Sequence, residues 1–425
     1  MLITGLATLI VLSVIIFIHE LGHFIAAKRF GVKVEIFSMG LGPKLIGARR
    51  GETEYMVSAI PFGGYVKMAG EDPTKPAAGG DREFLSKPRY TRALIVLAGP
   101  AMNFLLAVVI YTLLTYALGV GTITTRLVGE VTEGSPAWLA GLREGDTLVA
   151  VGDHTVATWD EVLDALAGNL GHKTTVRYER GGAPATASLD LVTLGDLGQV
   201  GMAPFEEAVV DIVKRGGPAS SAGLRGGDRI LAIDGRPIRN WQGVREAIRP
   251  SPGKTLAITY ERNGQEHSST VTPRAEGGSG LIDITYRFER KRVGIGEAAV
   301  MGIKTSAWIS KQIFVLLHKW ATGQASRDMI GGPVRIGELA GETLRWGITT
   351  FLAFIAALSA QLSLVNLLPV PVLDGGHLLI LAVETATRRP ITMRQRAIAQ
   401  QIGFGFLVAL MVTITFMDIS RFVWK

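Results

Sequence analysis

The chain has 425 residues, 48% of them hydrophobic, with a mean hydropathy of +0.30. That is long for one core and apolar for a soluble protein, so several units and a membrane are expected. The net charge of +7 comes without any stripe of interleaved basic and aromatic residues, which sets nucleic acid aside, and the lack of cysteine excludes disulfides and thiolate metal sites.

The first predicted element is a membrane helix from Leu2 to Ala27. No basic residue precedes it and no small-residue cleavage site follows, so it is read as a span and not as a cleaved leader. Inside it, "FIHELGHFIA" at 17–26 places His19, Glu20 and His23 where ionisable groups are costly. His19-Glu20-Leu21-Gly22-His23 fits HExxH. Residues i and i+4 share a helix face, so both imidazoles can reach one metal ion, and Glu20 beside them can take a proton from water. Two packing histidines and a helix-end glutamate are the plainer alternative, against which the position inside a span argues.

Residues 28–92 hold twelve Lys/Arg against seven Asp/Glu. Within them, 56–68 (MVSAIPFGGYVKM) reads as a hairpin. A second span, Ala93–Leu118, is uncharged and carries Gly99, Pro100 and Asn103 near its start. Residues 119–346 then contain a repeat. "GSPAWLAGLREGD" at 134–146 matches "GGPASSAGLRGGD" at 216–228, and eighteen identities fall over 49 positions at a constant offset of 82. Two copies of one small domain are expected, 121–203 and 204–290, each a half-open barrel capped by helices. In 297–320, Lys304, Lys311 and His318 recur every seven residues in an otherwise apolar run. This predicts a helix on the membrane surface or against the spans, with the rest of 291–346 as linker.

A third span, Gly347–Leu368, runs into the irregular "NLLPVPVLDGGH" at 366–377, and a fourth covers Ala397–Met417. Arg388, Arg389, Arg394 and Arg396 lie between them. The positive-inside rule makes this loop and residues 28–92 cytosolic, so both termini and the repeats lie outside. His19 is then about 25 Å along the first span from its outer end. The chain is thus expected to be an α-helical membrane protein, its core split between 1–120 and 347–425 by two α+β domains.

A catalytic zinc takes three protein ligands and leaves one position for water. Asp374 is the sole acid between Glu342 and Glu384, and Pro369, Pro371, Gly375 and Gly376 break the helix around it. It is the expected third ligand. Its alternative role is to cap the following helix, and His377 is a rival ligand.

Three motifs together, HExxH in the first span, "AGPAMN" at 98–103 and "NLLPVPVLDGG" at 366–376, resemble the site-2 proteases. The exterior repeats resemble PDZ domains, which narrows the match to a bacterial branch of that family. The resemblance covers 1–425. It implies a zinc metalloprotease of the bacterial inner membrane with periplasmic PDZ-like domains, cutting single-span proteins inside the membrane. Its substrates would be anti-sigma factors already trimmed by another protease, and remnant signal peptides. By position it implies His19, His23 and Asp374 as zinc ligands and Glu20 as general base. Asn366 would hold unwound substrate backbone, and Asn103 is assigned with it to substrate. Residues 56–68 would form a membrane-associated β-hairpin whose Gly63, Gly64 and Tyr65 meet the substrate. Gln361 stands where relatives often have Asn, and neither repeat has a Gly-Leu-Gly-Phe loop, so binding of C-termini and steric exclusion both stand as roles for the repeats. The rival function is a non-catalytic membrane scaffold displaying two peptide-binding domains.

Overall fold

A computed structural model describes residues 2–71, 80–324, 331–389 and 391–423. The chain divides into two units, Met1–Ala117 with Val293–Lys425, and Leu118–Arg292. Among the described residues four helices are long and apolar enough to cross a membrane: Leu2–Arg29, Arg89–Leu118, Ile348–Val365 and Arg394–Asp418.

The first unit opens with α1 (Leu2–Arg29), followed by β1 (Val34–Arg50) and β2 (Thr53–Met68). The hairpin is therefore wider than the expected 56–68. It is also folded on itself: residues 46–50 pair with 53–57, while 36–39 lie between 54–57 on one side and 64–67 on the other. The segment 64–68 ends up at one edge, with no further strand beside it among the described residues. Aromatic rings dock this sheet on α1. The Phe37 ring lies 5.8 Å from Phe17 and 5.0 Å from Phe24, and Tyr55 lies 5.8 Å from Phe24. Phe17 and Phe24 are seven residues apart and so share a helix face at about 100° per residue. The two histidines share another, and Glu20 falls between these two faces. α2 (Arg89–Leu118) follows.

In the second unit the repeats adopt one plan. The first places α3 (Pro136–Leu139) and α4 (Trp159–Ala167) against a four-stranded antiparallel sheet, in the order 154–155, 147–151, 173–180, 183–190. The second places α5 (Pro218–Ser221) and α6 (Trp241–Ile248) against strands 236–237, 229–233, 256–262, 265–271 in the same order. A further strand pair completes each, 128–131 with 202–204 and 210–213 with 284–286. Each has its own core, around Trp159 and Trp241 respectively.

Structure explains two of the shared positions. Asp146 and Asp228, in the Gly-Asp turns, are buried, and each receives a two-pronged ion pair, from Arg180 and Arg262 at 2.7–2.9 Å. Each carboxylate also accepts the main-chain N–H three residues earlier. Asp228→Ala leaves those donors unmatched. We expect a loss of about 2–3 kcal/mol, under the range for a wholly buried pair because Arg262 stays 22% exposed. Reduced hydrogen-exchange protection across 256–271 would register it.

The second position is a compensated swap. Gly201 has φ +73, and a Cβ there would overlap Ser135. At the corresponding place in the second repeat Asp283 has φ +60 and stands against Gly217. Aspartate tolerates the left-handed region better than most side chains. Arg274 binds Asp283 with two bonds of 2.8 Å, and this holds its carboxyl below the ordinary range, with Lys214 adding to the effect. A pKa lowered by folding stabilises above the unfolded value and is lost as pH falls through the folded one. This contribution to the second repeat should therefore be lost only below about pH 4, and Arg274→Met should flatten that acid limb in a thermal-unfolding series.

The first unit resumes with α7 (Ile295–Ala321), α8 (Pro333–Trp346), α9 (Ile348–Val365), α10 (Asp374–Thr387) and α11 (Met393–Val423). Of the two placements expected for 297–320, the structure has the helix packed against the spans. Ala298, Gly302, Ser306 and Ser310 recur every fourth residue and are buried. Gly302 faces Val108 and Thr112, and Ser310 Oγ donates to Ala360 O at 3.0 Å. Small side chains let helices approach closely in this way. Lys304, Lys311 and His318 point outward. Residues 333–346, expected as linker, are helical because Ala340 and Gly341 fit against the start of α1. Buried Glu384 ties three helices together, bonding Arg92 of α2 at 3.4 Å and Arg396 of α11 at 2.5 Å.

Candidate metal centre

Glycines bring α1 and α2 together around HExxH. A Cβ at Gly22 would collide with the Ala98 main chain, and one at Gly99 would overlap both imidazole rings. His19 and His23 are thereby enclosed, and their Nε2 atoms lie 3.2 Å apart. His23 Nδ1 donates to the Ile95 main-chain oxygen at 2.9 Å. That bond selects the tautomer with a free lone pair on Nε2.

The third group arrives from the far end of the sequence. α9 ends at Val365, and the chain reverses through Asn366–Leu373 into α10. The reversal is tight: Gly375 N donates to Asn366 O at 2.7 Å, and a Cβ at Gly375 or Gly376 would run into main chain of 367–371. Asp374 is the first residue of α10, the N-cap position belongs to Leu373, and no side chain caps the helix. The capping alternative thus has no bond behind it. Asp374 instead turns toward the histidines, with Oδ2 3.1 Å from His19 Nε2 and Oδ1 3.5 Å from His23 Nε2. His377, one turn on, lines the same cavity but is not among the three convergent donors.

The donor set fits a metal ion. The two imidazole nitrogens stand 3.2 Å apart, and the two oxygens of the Asp374 carboxylate lie 3.1 Å from one and 3.5 Å from the other. Donors on a tetrahedral zinc, at ~2.0–2.1 Å each, are separated by about 3.3 Å. Asp374 Oδ2 is buried and accepts no hydrogen bond although His19 Nε2 lies 3.1 Å away, which leaves both atoms free to share a cation. Among the described residues this is the one such group of three.

Around it lies a cavity of about 290 Å³, walled among others by Glu20, Tyr65, Val66, Asn366, His377 and Arg396. Glu20 sits beside the histidines on the cavity wall, which Val66 of the edge segment also lines. Of the hairpin residues singled out, Tyr65 lines the cavity and Gly64 lies against Glu20, where a Cβ would meet Glu20 Cγ at 3.3 Å. Gly63, at φ +109, turns over Leu41 instead. Asn366 lines the cavity, whereas Asn103 is wholly buried behind His19. Sequence reasoning missed Glu71 and Arg396, which both face the cavity, and the supporting role of Ile95. Ile95, Gly99 and Asn103 are spaced by four, and that shared helix face was a signal available for the last of these.

Comparison with known proteins gives the chain a family. The model of peptidase family M50 matches residues 7–410. A regulator of sigma-E protease from Salmonella typhimurium is 35% identical over 98% of each chain. The counterpart from Escherichia coli K12 is 34% identical over 97% of each. A Neisseria meningitidis protein named as a zinc metalloprotease is 32% identical, covering 98% of this chain and 99% of its own. A solved PDZ domain of an SdrC-like protein from Listeria monocytogenes aligns with 20% of this chain and 90% of its own, at 26% identity and a TM-score of 0.18. With a family match along nearly its whole length, and HExxH of the first candidate span meeting a distant aspartate, this chain belongs to peptidase family M50, the site-2 proteases, and is a zinc-dependent intramembrane metalloprotease.

Proposed function

We propose that His19, His23 and Asp374 hold the zinc ion, that Glu20 is the general base, and that the substrate is a single-span membrane protein of the anti-sigma-factor type. The observation that carries the reading is the convergence of two imidazoles and a carboxylate, with contacts of 3.1–3.5 Å between them, in a cavity that Glu20 also lines. Bound there, zinc supplies Lewis acidity toward a peptide carbonyl and toward water. Glu20 takes the proton from the attacking water and returns it to the leaving amine. A helical substrate hides its peptide bonds, so it must unwind. The edge segment 64–66, with no further strand beside it among the described residues, is suited to offer main-chain partners to the extended strand. Asn366, on the cavity wall, is the side chain suited to hold its backbone.

The sigma-E names of the relatives motivate the substrate class. The basic loops motivate a bacterial inner-membrane location with both termini and the repeats periplasmic. In this reading the folded hairpin enters the membrane, and the repeats, 121–203 and 204–290, are PDZ-like domains that exclude substrates still carrying bulky exterior parts. Deleting 121–290 should then permit cleavage of an untrimmed single-span reporter in cells. If the deletion leaves that reporter intact while a trimmed one is cut, the exclusion role fails. The scaffold alternative is disfavoured because a vestigial site would have lost a donor, and none is missing here.

A further inference from the structure

Building on that metal-centre reading, we infer that Asn103 is a positioning residue, whose amide oxygen accepts the His19 Nδ1–H and keeps Nε2 as the donor facing the ion. Two amides converge on His19 Nδ1. The side-chain nitrogens of Asn103 and Asn366 each lie 3.4 Å from it. Their surroundings differ. Asn103 is 0% exposed, and its main-chain oxygen accepts Ser359 Oγ at 2.9 Å. Asn366 borders the cavity and has room to turn into it.

A neutral imidazole has one N–H and one lone pair. Once Nε2 gives its lone pair to a metal, Nδ1 must carry the proton. An amide NH₂ held against that N–H is repulsive. Asn366 can swing away, but Asn103 is enclosed and cannot. Asn103 must therefore present oxygen. A half-turn of the amide exchanges oxygen and nitrogen with almost no movement of heavy atoms. It also gives Asn103 Oδ1 the donor it otherwise lacks, and moves the amide nitrogen into the enclosed position that the oxygen leaves. The other histidine is held in the same manner, since His23 Nδ1 donates to the Ile95 oxygen. Both oxygens come from one face of α2, and Gly99 between them leaves space for the rings. The two asparagines thus divide the work. Asn103 orients His19 and does not touch substrate, and Asn366 is released toward the substrate backbone.

Zinc affinity of the detergent-purified full chain, measured by competition with a chromogenic chelator, tests this without relying on turnover. Partners of this kind are worth roughly 10–100-fold in metal affinity. Asn103→Leu should weaken zinc binding by that factor, Asn103→Asp should keep it within a few-fold of the parent, and Asn366→Leu should bind zinc normally while losing cleavage. Parent-like affinity in Asn103→Leu, or equal loss in Asn103→Leu and Asn103→Asp, overturns the inference. Failure of the underlying reading looks different: the parent and a His19→Ala, His23→Ala double variant would then bind zinc alike.

Discussion

Glu20→Gln should abolish cleavage of a single-span reporter while zinc content stays at the parent level. The reasoning starts from helix geometry. Glu20 is adjacent in sequence to one donor and three residues from the other, yet it falls between the histidine face and the face that carries the sheet. It is not one of the three convergent donors, and it lines the cavity beside the edge segment. Glutamine keeps the size and polarity but cannot accept a proton. General-base loss alone is worth about 10²–10⁴-fold in rate. Metal analysis and reporter cleavage on one preparation separate the outcomes. Normal turnover by the variant would sink the general-base role, and a parallel loss of zinc would make Glu20 a structural support instead.

The second large effect is expected at Asp374. Asp374→Asn preserves shape and the chain reversal, because the Gly375–Asn366 main-chain bond does not involve the side chain. It removes the negative charge that would be shared with the two imidazoles and a bound cation. The fall in zinc affinity should exceed the roughly 10–100-fold typical of groups that merely support a ligand. Cleavage should fall with it and recover in part when zinc is added in excess. Undiminished stoichiometry at limiting zinc would remove Asp374 from the donor set.

Much of this molecule was legible before any coordinates. Four apolar runs announce four long helices because length and hydropathy are local properties, and the coordinates place candidate spans over each run. The repeat announced itself through identities at one offset. HExxH carried its own geometry, since i and i+4 share a face in any α-helix. Other features were not legible. The hairpin is wider than its most recognisable segment because β1 contains Gly and Pro and lacks clean alternation, so only pairing with β2 reveals it as strand. The small-residue stripe of α7 was hidden behind its more conspicuous lysines, and those lysines point outward while the stripe makes the contacts. Arg396 counts in the sequence as a topological charge, but it is also a partner of buried Glu384 and part of the cavity wall.

What the sequence by itself determined is therefore periodic or adjacent: the spans, the repeat, the two histidines with their glutamate, and the break around Asp374. What only the tertiary structure decided is which distant groups meet. It brings Asp374 within 3.5 Å of both histidines across more than 350 residues of chain, and it puts Asn103 behind His19 and Asn366 before it. It also pairs Asp146 with Arg180 and Asp228 with Arg262. The physical reason is that helix and strand periods fix the direction of a side chain relative to its neighbours in sequence. Close approach between elements depends instead on where glycines at 22, 99, 375 and 376 remove the steric obstacle, and that is a property of the packed interior.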